Sequence, residues 1–418
     1  MSKPNGVSRR SVLKGAVAGG VAWLGTSVFG DAPLYVFAQE EVKRDVLVVV
    51  FQRGGVDGLS VVVPYGEGGA YYDARPTTAL KEGSLHDLGG FFGLHPRLGA
   101  LYEVYGSGHL AVVHAAGSPD PSRSHFDAME GMERGTPGRK STPTGWLARH
   151  LESAPWTNDS PFRALGLGTM VQSALRGPVP TLALQSIADF HLTGRDDQLG
   201  ALQRTLAQLY RGGADEPLRG AAAETFRTVD ALGTLADEAY TPAAGAAYPE
   251  SPFGGALKQV AQLVKAEVGL EVACVDAGGW DKHEEQGGAD GPLADLITDF
   301  GAGLAAFYAD MHEHLDRVTV VSMSEFGRRV AENASRGTDH GHGNAMFVMG
   351  GGVRGGVHTR WPGLNKGALD DGDLAVTTDY RDVLAEILDK RLGNGALDKV
   401  FLDYTPTLGD VLVPRRFA

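Results

Sequence analysis

The stretch Val46-Leu47-Val48-Val49-Val50-Phe51, followed at once by Gln52-Arg53-Gly54-Gly55-Val56-Asp57-Gly58, decides how this chain is read. An unbroken, Val-rich apolar run is what a strand buried on both faces requires. The glycines after it let the backbone turn sharply and approach another group closely. Similar runs recur at Leu110–Ala115, Pro180–Leu184, Leu270–Val275, Val318–Met323 and Ala345–Met349. Helical periodicity fills the spaces between them, at Arg97–Tyr105, Arg123–Arg134, Thr144–Leu151, Leu199–Tyr210, Ala221–Ala239, Phe253–Lys265, Pro292–Leu315 and Asp379–Arg391. Strands alternating with helices predict an α/β fold, a mostly parallel central sheet with helices on both faces. In such sheets ligands sit beyond the carboxyl ends of the strands, so the residues that follow each run are the ones to inspect.

Composition narrows the chemistry. Of 418 residues, 43% are hydrophobic and 21% charged, which excludes disordered, collagenous and coiled-coil chains. The net charge of -13 argues against a nucleic-acid partner. The single cysteine, Cys274, excludes an internal disulfide and cysteine-rich zinc sites, so a metal would be held by His, Asp, Glu or hydroxyl groups.

The N-terminus reads as an address. Ser8-Arg9-Arg10-Ser11-Val12-Leu13-Lys14 is a twin-arginine pattern, Gly15 to Phe29 is weakly apolar, and Val36-Phe37-Ala38 offers a cleavage site. That order predicts a signal peptide over residues 1–38 and the twin-arginine export machinery as partner. The mature chain, 39–418, is then one α/β domain in the periplasm or outside the cell, with a helical insertion over 185–250. No later run reaches the ~18 apolar residues of a membrane span.

The strand ends carry the candidate site. Asp57 is a metal-ligand candidate and Arg53 an anion clamp, the plain reading being a turn and a surface charge. After the second run, Ser122-Arg123-Ser124-His125-Phe126-Asp127 places Ser124 at a helix start. It is there either a nucleophile or the N-cap of a capping box with Asp127. His125 is a base or a ligand. Asp281 and His283 face the same way in extended chain and suit one metal. Glu325 follows the Val318–Met323 run. Gly337-Thr338-Asp339-His340-Gly341-His342-Gly343-Asn344 puts Asp339, His340 and His342 in a glycine-flanked loop, a metal-binding loop rather than a solvated one. Imidazole with carboxylate favours zinc, manganese or iron over calcium.

Six segments carry a family resemblance: RGGVDGL (53–59), SRSHFDAMEGMERG (122–135), GGWDKH (278–283), SEFGRR (324–329), GTDHGHGNAMFVMGG (337–351) and TTDYRDVL (377–384). In this order they resemble the twin-arginine-exported domain-of-unknown-function 1501 family, which is similar to the alkaline phosphatase and sulfatase superfamily. The resemblance implies a parallel sheet with one or two divalent ions at the strand ends. Asp57 would be the first-strand ligand and Ser124 the helix-start nucleophile. Asp281 and His283 would be a metal pair, at shorter spacing than the superfamily's D-x-x-x-H, and His340 or His342 the last metal histidine. Glu325 falls where the superfamily has an Asp. Phe326 stands where it has a histidine ligand, so a second metal site lacks a ligand unless His125 completes it. The activity implied is metal-dependent hydrolysis of a small phosphate or sulfate ester. The alternative is a non-catalytic secreted protein that binds a metal or a partner on the same fold.

Overall fold

The computed structural model describes residues 44–415, apart from 157, 169–170, 244 and most of 188–239. Arg44–Ser186 and Tyr240–Ala418 form one compact unit; residues 1–43 with 187–239 group separately and lie almost wholly outside the described residues. The expected signal peptide, the helices expected at 199–210 and 221–239, and most of the expected insertion therefore fall outside the description.

Twelve strands run through the described residues: β1 (Val46–Gln52), β2 (Val62–Val63), β3 (His86–Asp87), β4 (Gly93–Leu94), β5 (Leu110–Gly117), β6 (Ala164–Leu167), β7 (Leu182–Leu184), β8 (Val272–Ala277), β9 (Val318–Met323), β10 (Asn344–Gly350), β11 (Gly356–His358) and β12 (Thr378–Asp379). Strands β2, β4 and β3 make a small separate sheet. The other nine make the central one, in the order β11-β5-β10-β9-β1-β8-β6-β7, with β12 beside β5. All of its pairings are parallel except those of β10, which runs against both β5 and β9. The fold is the mostly parallel α/β sheet that the alternation predicts. Strand β6 escapes sequence reading because Ala-Leu-Gly-Leu has no β-branched residue.

Burial explains why β1 is central. Each of its seven residues is buried. Leu47, Val49 and Phe51 join a core with Trp146, Leu147 and Leu151 of one helix (Trp146–Ser153) and Val383, Leu384 and Ile387 of another (Tyr380–Lys390). Strand β10 shows the second face. Met346 and Val348 belong to that same core, whereas Phe347 between them packs on Phe300 of the helix Pro292–Asp310. The sheet is thus covered on both sides, as a sheet of continuous apolar strands must be. Among the described residues no helix is long and apolar enough to cross a membrane.

Register brings the loops together. Phe51 of β1 lies opposite both Asp276 of β8 and Met323 of β9, so these three strands end level with one another. Because β10 runs the other way, its first residue, Asn344, sits opposite Ala116 near the end of β5. The connection from β9 to β10 therefore begins and ends at the same edge as the loops after β1, β5 and β8. Contact there is tight. Gly54 has φ +122°, and a Cβ on it would lie 2.5 Å from the backbone N of Asp281. Gly54→Ala should cost about 1–3 kcal/mol through the overlap and the strained φ. Denaturant unfolding of the variant checks this; an unchanged midpoint would show that the two loops do not abut.

Candidate metal centre at the carboxyl edge of the sheet

The helix His125–Arg134, labelled α1 here, begins where the β5 loop ends. Ser124 is its N-cap: the Oγ accepts a 3.5 Å hydrogen bond from Asp127 N, and Gly135 closes the far end in the left-handed conformation. The first helical side chain, His125, then points across the sheet edge. Its Nδ1 lies 2.8 Å from Glu325 Oε1, and its Nε2 lies 3.4 Å from Asp281 Oδ2. Glu325, almost wholly buried, also accepts from Gly54 N at 2.8 Å. Its carboxylate is therefore spent on orienting His125 and the β1 loop.

Two further imidazoles meet the same carboxylate. His340 Nε2 is 3.2 Å from Asp281 Oδ1, and His283 Nε2 is 2.9 Å from it. The two Nε2 atoms are 2.9 Å apart. His340 Nδ1 donates to the carbonyl of Arg123 at 2.9 Å, and His283 Nδ1 lies 3.2 Å from Asp339 Oδ1. A carbonyl only accepts, so the proton of neutral His340 is on Nδ1 and its Nε2 presents a bare lone pair. The carboxylate of Glu325 assigns His125 the same tautomer. His125 Nε2 is buried and has no hydrogen-bond partner. Bare Nε2 atoms aimed at one carboxylate, each ring held from behind through Nδ1, are what metal-ligating histidines present. One ligand atom from each of His125, Asp281 and His340 lies within 4.8 Å of the others. Their side chains are 24%, 47% and 20% exposed, which leaves one side open to solvent.

The electrostatics suit this set. Partial burial raises the Asp281 carboxyl, but the hydrogen bond and positive charge of Arg328, with the imidazoles beside it, outweigh this and bring it down to about 2. Burial, ahead of its hydrogen bonds, pushes His340 below the ordinary imidazole value, so the ring is neutral at pH 7, as ligation requires. Phe326, which is buried, packs its ring against His125 and His340 at centroid distances of 4.9 and 4.6 Å.

Several residues expected at the site go elsewhere. Asp57 is not brought to the cluster. Its two oxygens take Arg75 at 2.6 and 2.9 Å, with Ser60 Oγ at 2.7 Å and Gln286 Nε2 at 2.9 Å, all buried. Arg53 is no free anion clamp, because Glu133 at 3.0 Å and Asp276 at 2.8 Å hold its guanidinium. Glu325 supports a histidine in place of acting as a ligand. His342 lies apart, between Asp370 Oδ2 at 3.0 Å and the carbonyl of Ser118 at 2.8 Å. Asp339 reaches the cluster only from behind His283, with Asn333 Nδ2 at 3.0 Å. Ser124 is exposed, flanked by Arg123 and His125, both of which touch the cluster.

One participant is absent from the sequence reading. Arg328, buried within the quoted SEFGRR segment, donates to Asp281 Oδ1 at 2.6 Å, Gly55 O at 2.6 Å, Thr338 O at 2.7 Å and Trp280 O at 3.3 Å, and also to Gly54 O. Its position just past a strand end was the only available signal.

Asp57 sharpens the contrast between structural and functional carboxylates. Burial raises its carboxyl, yet the Arg75 guanidinium and the surrounding donors more than offset this and hold it below the usual range. A carboxyl lowered in the folded state stabilises above its unfolded value near 4 and loses that contribution as pH falls through the folded one. Asp57→Asn should cost about 3–5 kcal/mol at neutral pH, a gap that narrows below about pH 4. Unfolding titrations across pH check it; a pH-independent or negligible difference would contradict the assignment.

A family profile described as "Protein of unknown function (DUF1501)" matches residues 83–393. No curated protein sequence matches the chain. Among solved structures, an alkaline phosphatase superfamily protein from Vibrio parahaemolyticus is 9% identical at TM-score 0.34, covering 77% of this chain and 64% of that one. The chain thus spans less than two thirds of that protein's length. The PsFucS1 sulfatase from Pseudoalteromonas sp. is 13% identical at TM-score 0.37, covering 90% and 74%. The alkaline phosphatase of the Antarctic bacterium TAB5 is 9% identical at TM-score 0.30, covering 76% and 95%.

Proposed function

The chain belongs to the DUF1501 family, whose profile spans most of it, and from the centre described above we propose that it is an exported, metal-dependent hydrolase of phosphate or sulfate esters. The observation that carries the reading is the partnerless Nε2 of His125 within ligand distance of Asp281 and His340. His125, Asp281 and His340 would hold a divalent ion of the zinc, manganese or iron class, with His283 alongside. When bound, such an ion supplies Lewis acidity at an ester oxygen and lowers the pKa of a water or hydroxyl.

The chain's own groups do the remaining work. Glu325 fixes the His125 ring, so that Nε2 rather than Nδ1 faces inward. The carbonyl of Arg123 does the same for His340. Phe326 keeps water from the back of both rings. Ser124, exposed at the start of α1, makes only a long cap bond, so its hydroxyl is free to turn toward a substrate. The backbone N–H groups of the first turn of α1 favour an anion at that point.

The second reading, a non-catalytic secreted protein that binds a metal or a partner, draws on the same Ser124 contact, because a capping serine needs no chemistry. The two readings part on whether the metal-loaded wild-type protein hydrolyses p-nitrophenyl phosphate or sulfate, and, if it does, Ser124→Asn shows what the serine contributes. Asn preserves the cap and removes the hydroxyl. Loss of p-nitrophenyl phosphate or sulfate hydrolysis with unchanged stability assigns Ser124 as nucleophile. Full retention makes it a cap only.

Metal analysis of the purified protein tests the centre itself. Bound transition metal should be lost in Asp281→Asn and His340→Ala, together with any ester hydrolysis. Glu325→Gln should weaken metal affinity about 10–100-fold, the usual cost of losing an outer-shell carboxylate. A folded wild-type protein that takes up no metal on dialysis would overturn the proposal.

A further inference from the structure

The two oxygens of Asp281 have different neighbours. Oδ2 faces His125 Nε2 at 3.4 Å. Oδ1 receives the Arg328 Nη2 donor at 2.6 Å and lies 2.9 Å from His283 Nε2 and 3.2 Å from His340 Nε2, so His340 stands between the two flanks. Arg328 Nη1 also approaches His283 Nε2, at 3.4 Å. The guanidinium therefore occupies the flank of Asp281 that His283 lines.

We propose that this centre takes a single divalent ion, seated on His125, Asp281 and His340, and that the Arg328 guanidinium is its fixed second positive charge, standing where Asp281 Oδ1 and His283 would otherwise hold a second ion. The inference rests on the metal reading above and adds the number of ions and their seat.

Three observations carry it. Arg328 is 1% exposed and is tied to the carbonyls of Gly54, Gly55, Trp280 and Thr338, so it cannot swing aside to admit an ion. A guanidinium does not deprotonate in a protein, so its charge cannot be switched off either. A divalent ion on the same carboxylate oxygen would face that fixed charge within a few ångströms. On the other flank the need is reversed. His125 Nε2 is buried without a partner, and a cation there completes it. Phe326 adds no ligand atom to either flank.

Native mass spectrometry of the purified protein, dialysed separately against zinc and manganese and then freed of excess ion, reads the number directly. One equivalent per chain is expected. Two equivalents would overturn the inference and leave the metal reading standing. None would overturn both. The seat is read from two variants that leave Arg328 and its carbonyl partners in place. His125→Ala should lose the ion, at least a 100-fold fall in affinity. His283→Ala should keep one equivalent with less than a tenfold change. The reverse pattern, an ion lost with His283 and kept without His125, would overturn the assignment, as would an intact second equivalent in either variant. Circular dichroism of both variants confirms that the loss is not unfolding.

Discussion

The arrangement at the sheet edge depends on one buried guanidinium. Arg328 reaches the loop after β1 through Gly54 and Gly55, the loop after β8 through Trp280 and Asp281, and the loop before β10 through Thr338. Those loops are far apart in sequence and rich in glycine, and glycine offers no side chain to hold a neighbour. An arginine with five donors in a rigid fork can satisfy several carbonyls at once, which a lysine could not. Burying such a charge is costly without compensation, and here the compensation is Asp281 together with the carbonyls. The same contact that steadies the loops also keeps Asp281 ionised and aimed into the cluster.

Register supplies what the arginine then fastens. Strands β1, β8 and β9 end level, and β10 enters from that same edge because it runs antiparallel. Residues from four loops, those after β1, β5 and β8 and the connection from β9 to β10, thus arrive in one place. Behind the ring of His125, Asp281, His283 and His340 stands a second set, Glu325, Asp339 and the carbonyl of Arg123, which fixes ring orientation and tautomer. The histidines are consequently preorganised, with the open side toward solvent.

Much of this was legible in the sequence, and the limits have physical causes. Unbroken apolar runs gave away the buried strands, and the placement rule for open α/β sheets pointed to the loops that hold His125, Asp281, His283 and His340. The direction of each side chain was not legible, because a loop residue's orientation is set by partners distant in sequence. Asp57 sits at a strand end as expected, but Arg75 and Gln286 claim its oxygens, a pairing that no local pattern announces. Glu325 sits where a ligand was expected and serves His125 from behind. His342, two residues from His340, is pulled to Ser118 and Asp370. Arg328 was invisible for the opposite reason: a lone arginine after a strand reads as surface charge, and only the packed structure reveals it as buried.

The central claim is that His125, Asp281 and His340 form a metal seat and not merely a hydrogen-bonded cluster. Anomalous diffraction from crystals of zinc-loaded protein, recorded on both sides of the zinc absorption edge, tests it most directly. One strong anomalous peak is expected, bonded to His125 Nε2, His340 Nε2 and the Asp281 carboxylate, with Arg328 still on Asp281 Oδ1. A difference map without a peak there, or with its metal peak at Asp57 or His342 instead, would contradict it.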